Sequence, residues 1–176
     1  MTENFQYPIG RFVEPEFIDQ GLIRSGIDDI EIFPSRLKTE VGYLSSDQLD
    51  TPYRPEGWTV RQVVHHCADS HINSFIRFKL SLTEDKPVIK PYFEYLWADL
   101  ADSKMEIEPS LLLLEALHNK WIFLLRSLNE HDLKKSYFHP DNGKLYSLNL
   151  AILLYAWHCN HHLAHITTLK KHRGWN

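Results

Sequence analysis

The sequence predicts an all-α fold: a four-helix bundle with an extended N-terminal arm and longer crossover loops. Four long segments carry apolar residues at helical spacing and have recognisable start or stop residues. No pair of segments makes a convincing sheet, and there are no internal repeats. A length of 176 residues suffices for one ordinary domain with its own core, so residues 1–176 are expected to form a single domain. Four such helices pack most economically as a bundle with one or two longer crossovers.

The N-terminal part of the chain is predicted to be an arm followed by a helix. The opening YPIGRFVEPE carries two prolines, a glycine and little periodicity, which indicates an extended arm over the surface. The first long helix is expected from about Asp28 to Ser46, with Pro34 near its first turns, where proline is tolerated. The stretch TPYRPEG then supplies turn residues for a connecting loop.

The second long helix has the clearest start in the chain. Thr59 and Gln62 in TVRQ fit a capping box, in which each side chain bonds the backbone N–H of the other residue. The helix can continue to about Leu82, where TEDKP ends it. A loop with a short helix around residues 93–100 is expected next.

Two further long helices complete the predicted bundle. The third begins after Pro109 and runs to about Leu128. The following SYFHPDNGKLYS is expected to be irregular or hairpin-like, because its proline and its Asn-Gly pair are turn residues. The last helix starts near Ser147 and continues to about His172, with Gly174 as its stop.

Composition excludes several functional classes. Lysine and arginine number 19 against 23 acidic residues, a formal charge of −4, and no basic stripe is present, so no nucleic-acid partner is expected. No apolar run approaches the roughly 20 residues that span a bilayer, so no membrane partner is expected either. The opening MTENFQYPIG lacks the pattern of a secretory signal, and the chain has only 2 cysteines, so a reduced, cytoplasmic location is expected.

Histidine is over-represented, with 11 residues, and the stretch YAWHCNHHLAH holds four of them at positions 158, 161, 162 and 165. On a helix of about 100° per residue, His158, His162 and His165 fall within roughly 60° of one another. They share that stripe with residues that make an apolar face, so the histidines interrupt an apolar surface and not a solvated one. The other residues of the stripe are Ala151, Leu154, Tyr155 and Leu169.

Histidines four residues apart on a helix can direct both rings at one point, and neutral imidazoles bind zinc, nickel, copper or iron. The pairs 158–162, 161–165 and, at i+3, 162–165 are all possible, but two ligands on one helix are only half a site. The stretch VVHHCADSH of the second helix offers His65, His66 and His71 as further ligands. His66 shares a polar side of that helix with Arg77, and this side faces either a pocket or solvent. Periodicity therefore does not choose between His65 and His66.

Two stretches of the chain resemble a known family. WTVRQVVHHCADSHINSFIRFKL and WHCNHHLAHIT are similar to the two signature helices of the DinB superfamily, and specifically of its YfiT branch. The likeness covers nearly the whole chain, including YPIG, LDTPYRPEGW and FHPD. The resemblance implies a four-helix bundle that holds one divalent metal per chain with three histidines, two at i and i+4 on the last helix and one on the second. It also implies a homodimer.

The resemblance assigns the three ligands. The family's second-helix ligand lies eight residues after the tryptophan that opens the helix, and counting from Trp58 gives His66. The last-helix pattern, ligand-x-x-His-ligand, falls on His158 and His162, with the histidine between them as a non-ligand. Where the wider superfamily often has glutamine, this chain has His165, which is expected to be either a neighbour of the ligands or an occasional fourth ligand.

Three neutral histidines leave a divalent metal with its full charge and an open position, which is typical of catalytic rather than structural zinc. Such a metal lowers the pKa of a bound water or thiol, so hydrolysis and S-transfer are both feasible. YfiT relatives are described as possible metal-dependent hydrolases, and other branches of the superfamily transfer thiols such as bacillithiol or mycothiol. We therefore predict a metal-dependent hydrolase that uses zinc or nickel on a small-molecule substrate. The alternatives are a thiol S-transferase with a low-molecular-weight thiol cosubstrate, and a non-enzymatic bundle that binds a metal or a small molecule.

Other polar residues near the expected ligands are functional candidates, each with an ordinary alternative. Arg77 and Asn73 can bind a carboxylate of a thiol cofactor, or they lie on a solvated face. Asp69, three residues after His66, can orient an imidazole, or it is a surface carboxylate. Tyr155 can donate a hydrogen bond to a metal-bound group, or it packs within the bundle.

Two cysteines and a further histidine need a separate interpretation. Cys67 and Cys159 each directly follow an expected ligand, but their side chains point about 100° away from it on the helix. Both are therefore interpreted as packing residues. His118 lies among leucines of the third helix, either as a core histidine or as a pocket residue, and the sequence does not decide between them.

Overall fold

The computed structural model describes residues 5–175, and within that range four long helices form a bundle. The elements in chain order are α1 (Gln20–Val41), α2 (Ser46–Leu49), α3 (Val60–Thr83), α4 (Glu94–Trp97), a 3-10 turn (Ala101–Lys104), α5 (Glu108–Ser127), α6 (Glu130–Leu133), β1 (Ser136–His139), β2 (Lys144–Ser147) and α7 (Leu148–Arg173). Helices α1 and α3 each pack against α5 and α7, so α1 lies diagonally across from α3, and α5 from α7. The predicted bundle with longer crossovers is confirmed. The predicted domain also includes residues 1–4 and 176, which lie outside the described residues.

The first long helix begins and ends earlier than the predicted range of residues 28–46. Its start is set by Asp19, whose side chain accepts a hydrogen bond from the Leu22 backbone N–H at 2.8 Å. Its end is at Val41, after which the Gly42 N–H bonds the Lys38 carbonyl at 2.9 Å. The buried Ile23 and Ile27 continue the apolar spacing of α1 back towards Asp19, so the sequence did carry a signal for this earlier start.

Pro34 lies inside α1 and not in its first turns, which corrects the prediction. Proline has no N–H, so the Ile30 carbonyl four residues earlier loses its helical donor. The Nδ1 atom of His118, on α5, lies 2.7 Å from that carbonyl oxygen and takes the place of the missing donor. The proline is tolerated because another helix supplies the hydrogen bond.

The predicted start of α3 and end of α7 are confirmed. The Gln62 N–H donates to Thr59 Oγ1 at 3.1 Å, and the Thr59 N–H donates to Gln62 Oε1 at 2.9 Å, which completes the capping box. Helix α7 stops at Gly174, whose φ of 66° is a left-handed conformation that glycine adopts without strain.

The segment between α6 and α7 is a β-hairpin, so the expectation of no sheet was wrong, while the hairpin-like interpretation of this segment was right. Strands β1 and β2 pair antiparallel, with Tyr137 opposite Tyr146. The Phe138 N–H also donates to the Pro87 carbonyl at 2.9 Å, and the Ile89 N–H donates to the Phe138 carbonyl at 3.1 Å. The hairpin packs against α3 and α7 and forms one wall of the site described below.

The predicted N-terminal arm contains neither helix nor strand from residue 5 to residue 19. It lies against α7, where the Trp157 ring N–H donates to the Gly10 carbonyl at 3.3 Å. The short helix predicted around residues 93–100 is α4. None of the helices in residues 5–175 combines the length and the apolar character that a membrane crossing requires.

The polar side of α3 faces the interior of the bundle. His66, Ser70 and Arg77, which share this side, are all buried. A solvated face, the alternative that the helical pattern left open, is therefore excluded for these three residues. All three residues line one cavity, which their inward polar side borders.

Candidate metal centre

Three histidines meet between α3 and α7. His66 lies in the second turn of α3, and His158 and His162 lie one turn apart in the middle of α7. One ring nitrogen of each lies within 4.8 Å of the others, and the Nε2 atoms of His66 and His158 are 3.3 Å apart. The structure thus brings together the three residues that the family resemblance assigned as ligands.

The chemistry of the cluster suits a divalent metal. Two nitrogen ligands at zinc distances of about 2.0–2.1 Å in a tetrahedral arrangement lie roughly 3.3 Å from each other. Burial, together with the nearby His165 and His161, lowers the pKa of His66 to about 3. Burial and the neighbouring imidazoles also lower the pKa of His158 and His162 well below the ordinary histidine value. All three rings are therefore neutral near pH 7 and present the lone pairs that a metal requires.

A chain of buried imidazoles connects His158 to the backbone of α1. The His118 Nδ1 atom lies 2.7 Å from the Ile30 carbonyl oxygen, and its Nε2 lies 2.7 Å from His71 Nδ1. The His71 Nε2 atom in turn lies 3.1 Å from His158 Nδ1. The chain therefore passes through all four long helices, in the order α1, α5, α3 and α7.

The Ile30 carbonyl at one end of this series of imidazoles determines which nitrogen of each ring carries the proton. A carbonyl oxygen only accepts, so His118 carries its proton on Nδ1 and accepts on Nε2. His71 then donates from Nδ1 and accepts on Nε2, and His158 donates from Nδ1. The lone pair of His158 is left on Nε2, the atom that faces His66. A partner on the far nitrogen holds the orientation of a metal-binding histidine and raises its basicity.

His165 and His161 flank the cluster without joining the three converging nitrogens. His165 stacks on Tyr53 with ring centroids 4.0 Å apart, and its Nε2 lies 3.2 Å from the Gln6 carbonyl oxygen. His161 stacks on Trp157 at 4.4 Å. Burial lowers the pKa of both histidines to about 4. His165 thus lies beside the three histidines, and its role stays a prediction.

Other candidates on α3 point away from the cluster. The His65 ring nitrogens lie 2.7 Å from Ser110 Oγ and 3.2 Å from the Met105 carbonyl oxygen. The Asn73 side chain donates to the Asp69 backbone carbonyl at 2.8 Å. Burial raises the pKa of the Asp69 carboxyl to about 6, but within residues 5–175 no hydrogen bond joins this carboxyl to an imidazole. The orienting role considered for Asp69 is instead filled, for His158, by His71.

A cavity of about 640 Å³ opens beside the three histidines. Ser70 Oγ lies 3.4 Å from His158 Nε2, and the Tyr155 hydroxyl donates to the Ser70 carbonyl oxygen at 3.2 Å. Arg77, three turns further along α3 than His66, also lines the cavity. The rest of the wall is largely aromatic and includes Tyr7, Tyr53, Trp58, Tyr92 and Trp157.

Some of these functional candidates were not identified from the sequence. The sequence suggested His71 only as a metal ligand. It did not decide whether His118 is a core histidine or a pocket residue. A signal for His118 existed, because a proline deep inside a helical pattern leaves a carbonyl that needs another donor. No signal existed for Tyr92 or His139, which loops and the hairpin bring to the cavity.

Cys67 and Cys159 are buried free thiols within the apolar core, as predicted. Burial raises the pKa of both thiols, so neither is a thiolate near pH 7. They stay packing residues beside the cluster.

The chain is similar to several known proteins along nearly its whole length. A model of the DinB superfamily matches residues 30–166. Relatives from Bacillus cereus (strain AH820) and Bacillus anthracis, each named "Putative metal-dependent hydrolase", are 52% identical over 172 residues, which make up 98% of this chain and 99% of the relative. The solved structure of YfiT from Bacillus subtilis is described as a probable metal-dependent hydrolase with an unusual four-helix bundle topology. It is similar with a TM-score of 0.96 and 49% identity, covering 98% of this chain and 99% of that chain.

Proposed function

The chain belongs to the DinB superfamily, and from this membership we propose that it is a metal-dependent hydrolase whose metal is held by His66, His158 and His162. The observation that carries the proposal is the convergence of three neutral imidazoles beside a cavity. Structural zinc sites usually have four protein ligands, whereas catalytic ones have three and leave a position for water or substrate. Three histidine nitrogens next to a cavity fit the catalytic class of site.

A zinc or nickel ion held there supplies a Lewis acid and lowers the pKa of a coordinated water towards 7. The three imidazoles are neutral and leave the charge of the ion uncompensated. His71 holds the His158 ring so that its Nε2 lone pair faces the cluster. The Ser70 hydroxyl, close to that Nε2, can donate to a substrate carbonyl oxygen or accept from water.

The bundle has an apolar core that packs independently of the histidine cluster. Fully buried apolar side chains come from each long helix, and they include Ile30, Leu37, Val63, Val64, Leu114, Trp121, Ile152 and Ile166. A structural metal would make folding depend on the ion. We therefore expect the metal-free protein to stay folded.

Thiol S-transfer is the second candidate, and the size of the cavity is compatible with it. A volume of about 640 Å³ lies within the range of roughly 300–1,000 Å³ that is typical of drug-sized ligands, so a small thiol and an electrophile can bind together. The thiol sulfur would form a bond to the electrophilic carbon, the leaving group would depart with its electron pair, and the thiol proton would pass to solvent. The thiol must be a cosubstrate, because Cys67 and Cys159 are buried with raised pKa values.

The test compares wild type with His158→Ala and with the neighbouring control His161→Ala. We expect one zinc or nickel ion per chain by elemental analysis in wild type and in the control, and none in folded His158→Ala. Hydrolysis of p-nitrophenyl esters and conjugation of cysteine to monobromobimane then distinguish the two reactions. We expect the activity that wild type shows to be lost in His158→Ala and kept in His161→Ala. A wild type that stays metal-free after dialysis against zinc and nickel would overturn the proposal.

Sedimentation of the same samples tests the homodimer that the resemblance implies.

A further inference from the structure

Arg77 is a buried cation without a carboxylate partner among residues 5–175. It is 9% exposed, and it takes part in none of the ion pairs formed within residues 5–175. Arg61, on the same helix, is similarly buried at 6%, but its Nε lies 2.7 Å from an Asp50 carboxylate oxygen. Burying an unpaired charge costs free energy, so the environment of Arg77 is suited to a negative group that comes from outside the chain.

Within residues 5–175, the groups found beside Arg77 can form hydrogen bonds and carry no negative charge. Its guanidinium interacts with the Tyr137 hydroxyl and lies close to the His139 ring. The Nδ1 atom of His139 is buried and has no hydrogen-bond partner in the described part of the chain. Two carboxylates, Glu94 and Asp141, also line the cavity, but both are exposed, and solvent and salt screen exposed charges.

Arg77 and the histidine cluster line the same cavity from different levels of α3. Arg77 follows His66 by 11 residues, which places the two on the same side of the helix, roughly 16 Å apart along its axis. A molecule that contacts both must therefore carry a chain between its anionic end and its reactive end.

We propose that Arg77 and His139 form a subsite for the carboxylate of an extended substrate whose reactive group lies at His66, His158 and His162. The proposal rests on the proposed function and specifies its substrate class: small molecules with a carboxylate at one end and the reacting bond at the other. One planar guanidinium and one neutral imidazole match the single charge and two oxygens of a carboxylate, which arginine binds through two parallel hydrogen bonds.

Equilibrium binding to the zinc-loaded protein tests this subsite without requiring turnover. The probes are the monohydroxamates of glutaric, adipic, pimelic and suberic acid, each paired with the alkyl hydroxamate of the same length. The hydroxamate end binds the zinc in both members of a pair, and only one member has a carboxylate. We expect the carboxylate to tighten binding roughly 10-fold or more at the best chain length, as measured by titration calorimetry.

Substitutions then assign the preference to one side chain. We expect Arg77→Met to abolish the affinity advantage of the carboxylate probe and to leave the affinity of the alkyl probe unchanged. Arg77→Lys should retain part of this advantage, because lysine keeps the positive charge but cannot form the two parallel hydrogen bonds of a guanidinium. Arg54→Met is the matched control: Arg54 lines the same cavity, but its guanidinium bonds the Tyr53 hydroxyl and the Pro55 carbonyl. We expect the affinity advantage of the carboxylate probe in Arg54→Met to stay within about 2-fold of its wild-type value.

The outcomes separate this inference from the proposed function. If the alkyl probes bind but the carboxylate adds nothing at any length, or its advantage survives in both Arg77 variants, the subsite is refuted while the metal centre stands. If the preference depends on Arg77 but p-nitrophenyl esters of the same acids are not hydrolysed, the subsite is supported and the hydrolase proposal fails. If Arg77→Met does not fold, Arg77→Lys decides alone, because an undiminished advantage of the carboxylate probe in folded Arg77→Lys refutes the subsite and a reduced advantage supports it.

Discussion

Replacing His71 with phenylalanine interrupts the imidazole chain at its centre. The substitution removes two hydrogen bonds at once, 2.7 Å to His118 and 3.1 Å to His158. It leaves the Nδ1–H of His158 and the Nε2 of His118 buried and unpaired. The ring of His158 is then free to turn, or to move its proton to the nitrogen that faces the cluster.

Two quantities are expected to change in His71→Phe. Zinc affinity falls roughly 10- to 100-fold, or about 1.4–2.8 kcal/mol, which is the usual cost of losing the partner of a metal-binding histidine. Two unpaired buried groups at about 1–3 kcal/mol each lower the free energy of unfolding by about 2–6 kcal/mol. Packing of the phenyl ring against Phe33 and Trp121, which already contact His71, offsets part of this loss.

The matched control is His65→Phe. His65 is a buried histidine on the same helix, directly beside His66, and it too loses two hydrogen bonds, to Ser110 and Met105. Neither of these bonds points at the cluster. We expect a comparable loss in the free energy of unfolding, measured by urea denaturation of the metal-free protein. Zinc affinity, measured by competition with a chromogenic chelator, stays within about 3-fold of wild type.

A spectroscopic measurement completes the test. Long-range proton–nitrogen NMR correlations in the metal-free protein are expected to show His158 protonated on Nδ1 in wild type and on both nitrogens in turn in His71→Phe. Equal zinc affinity in His71→Phe and His65→Phe would refute the positioning role. So would a wild-type His158 that carries its proton on Nε2.

Other predictions concern the same residues and the two thiols. His118→Leu removes the donor of the Ile30 carbonyl and the acceptor of the His71 Nδ1–H, so it should lower the free energy of unfolding by about 2–6 kcal/mol. Adding Pro34→Ala should restore about half of this loss, because residue 34 then has an N–H for the Ile30 carbonyl; zero coupling in a urea double-mutant cycle would contradict this. Burial lowers the pKa of His118 to about 4 from the ordinary 6.5, so between these pH values the unfolded chain binds a proton that the folded chain does not. The free energy of unfolding of the metal-free protein should therefore fall as pH drops from about 6.5 towards 4, and less steeply in His118→Leu. Cys67 and Cys159 should not react with a thiol-specific dye until the protein unfolds; rapid labelling of the native protein would contradict their burial.

Helix boundaries were predictable where their signals lie within a few residues. Thr59 and Gln62 bond each other across one turn, and Gly174 stops a helix through its own backbone conformation. The start of α1 was also encoded locally, by the Asp19 cap and by Ile23 and Ile27 at helical spacing, but the predicted range begins too late to include them. Pro34 was consequently assigned to a first turn that it does not occupy.

The candidate site was predictable only in part for a similar reason. His158 and His162 are neighbours on any helix, because residues i and i+4 lie on one face. The third histidine is different: His65 and His66 are both buried on α3, and only the family resemblance pointed to His66. The packing of α3 distinguishes the two residues, because it directs the His66 ring to the cluster and the His65 ring to Ser110.

The sequence by itself determined the four helices, the histidine pair on α7 and, through the family resemblance, the third histidine. Only the tertiary structure decided how these groups are held and what else the cavity contains. The bonds from His71 to His118 and to His158 span 47 and 87 residues of chain and join three helices. No local pattern encodes them, because a hydrogen bond near 3 Å between separate helices exists only after apolar burial has set the position of each helix. The same packing buries Arg77 without a carboxylate from the described part of the chain, a property that belongs to the fold and to no single stretch of sequence.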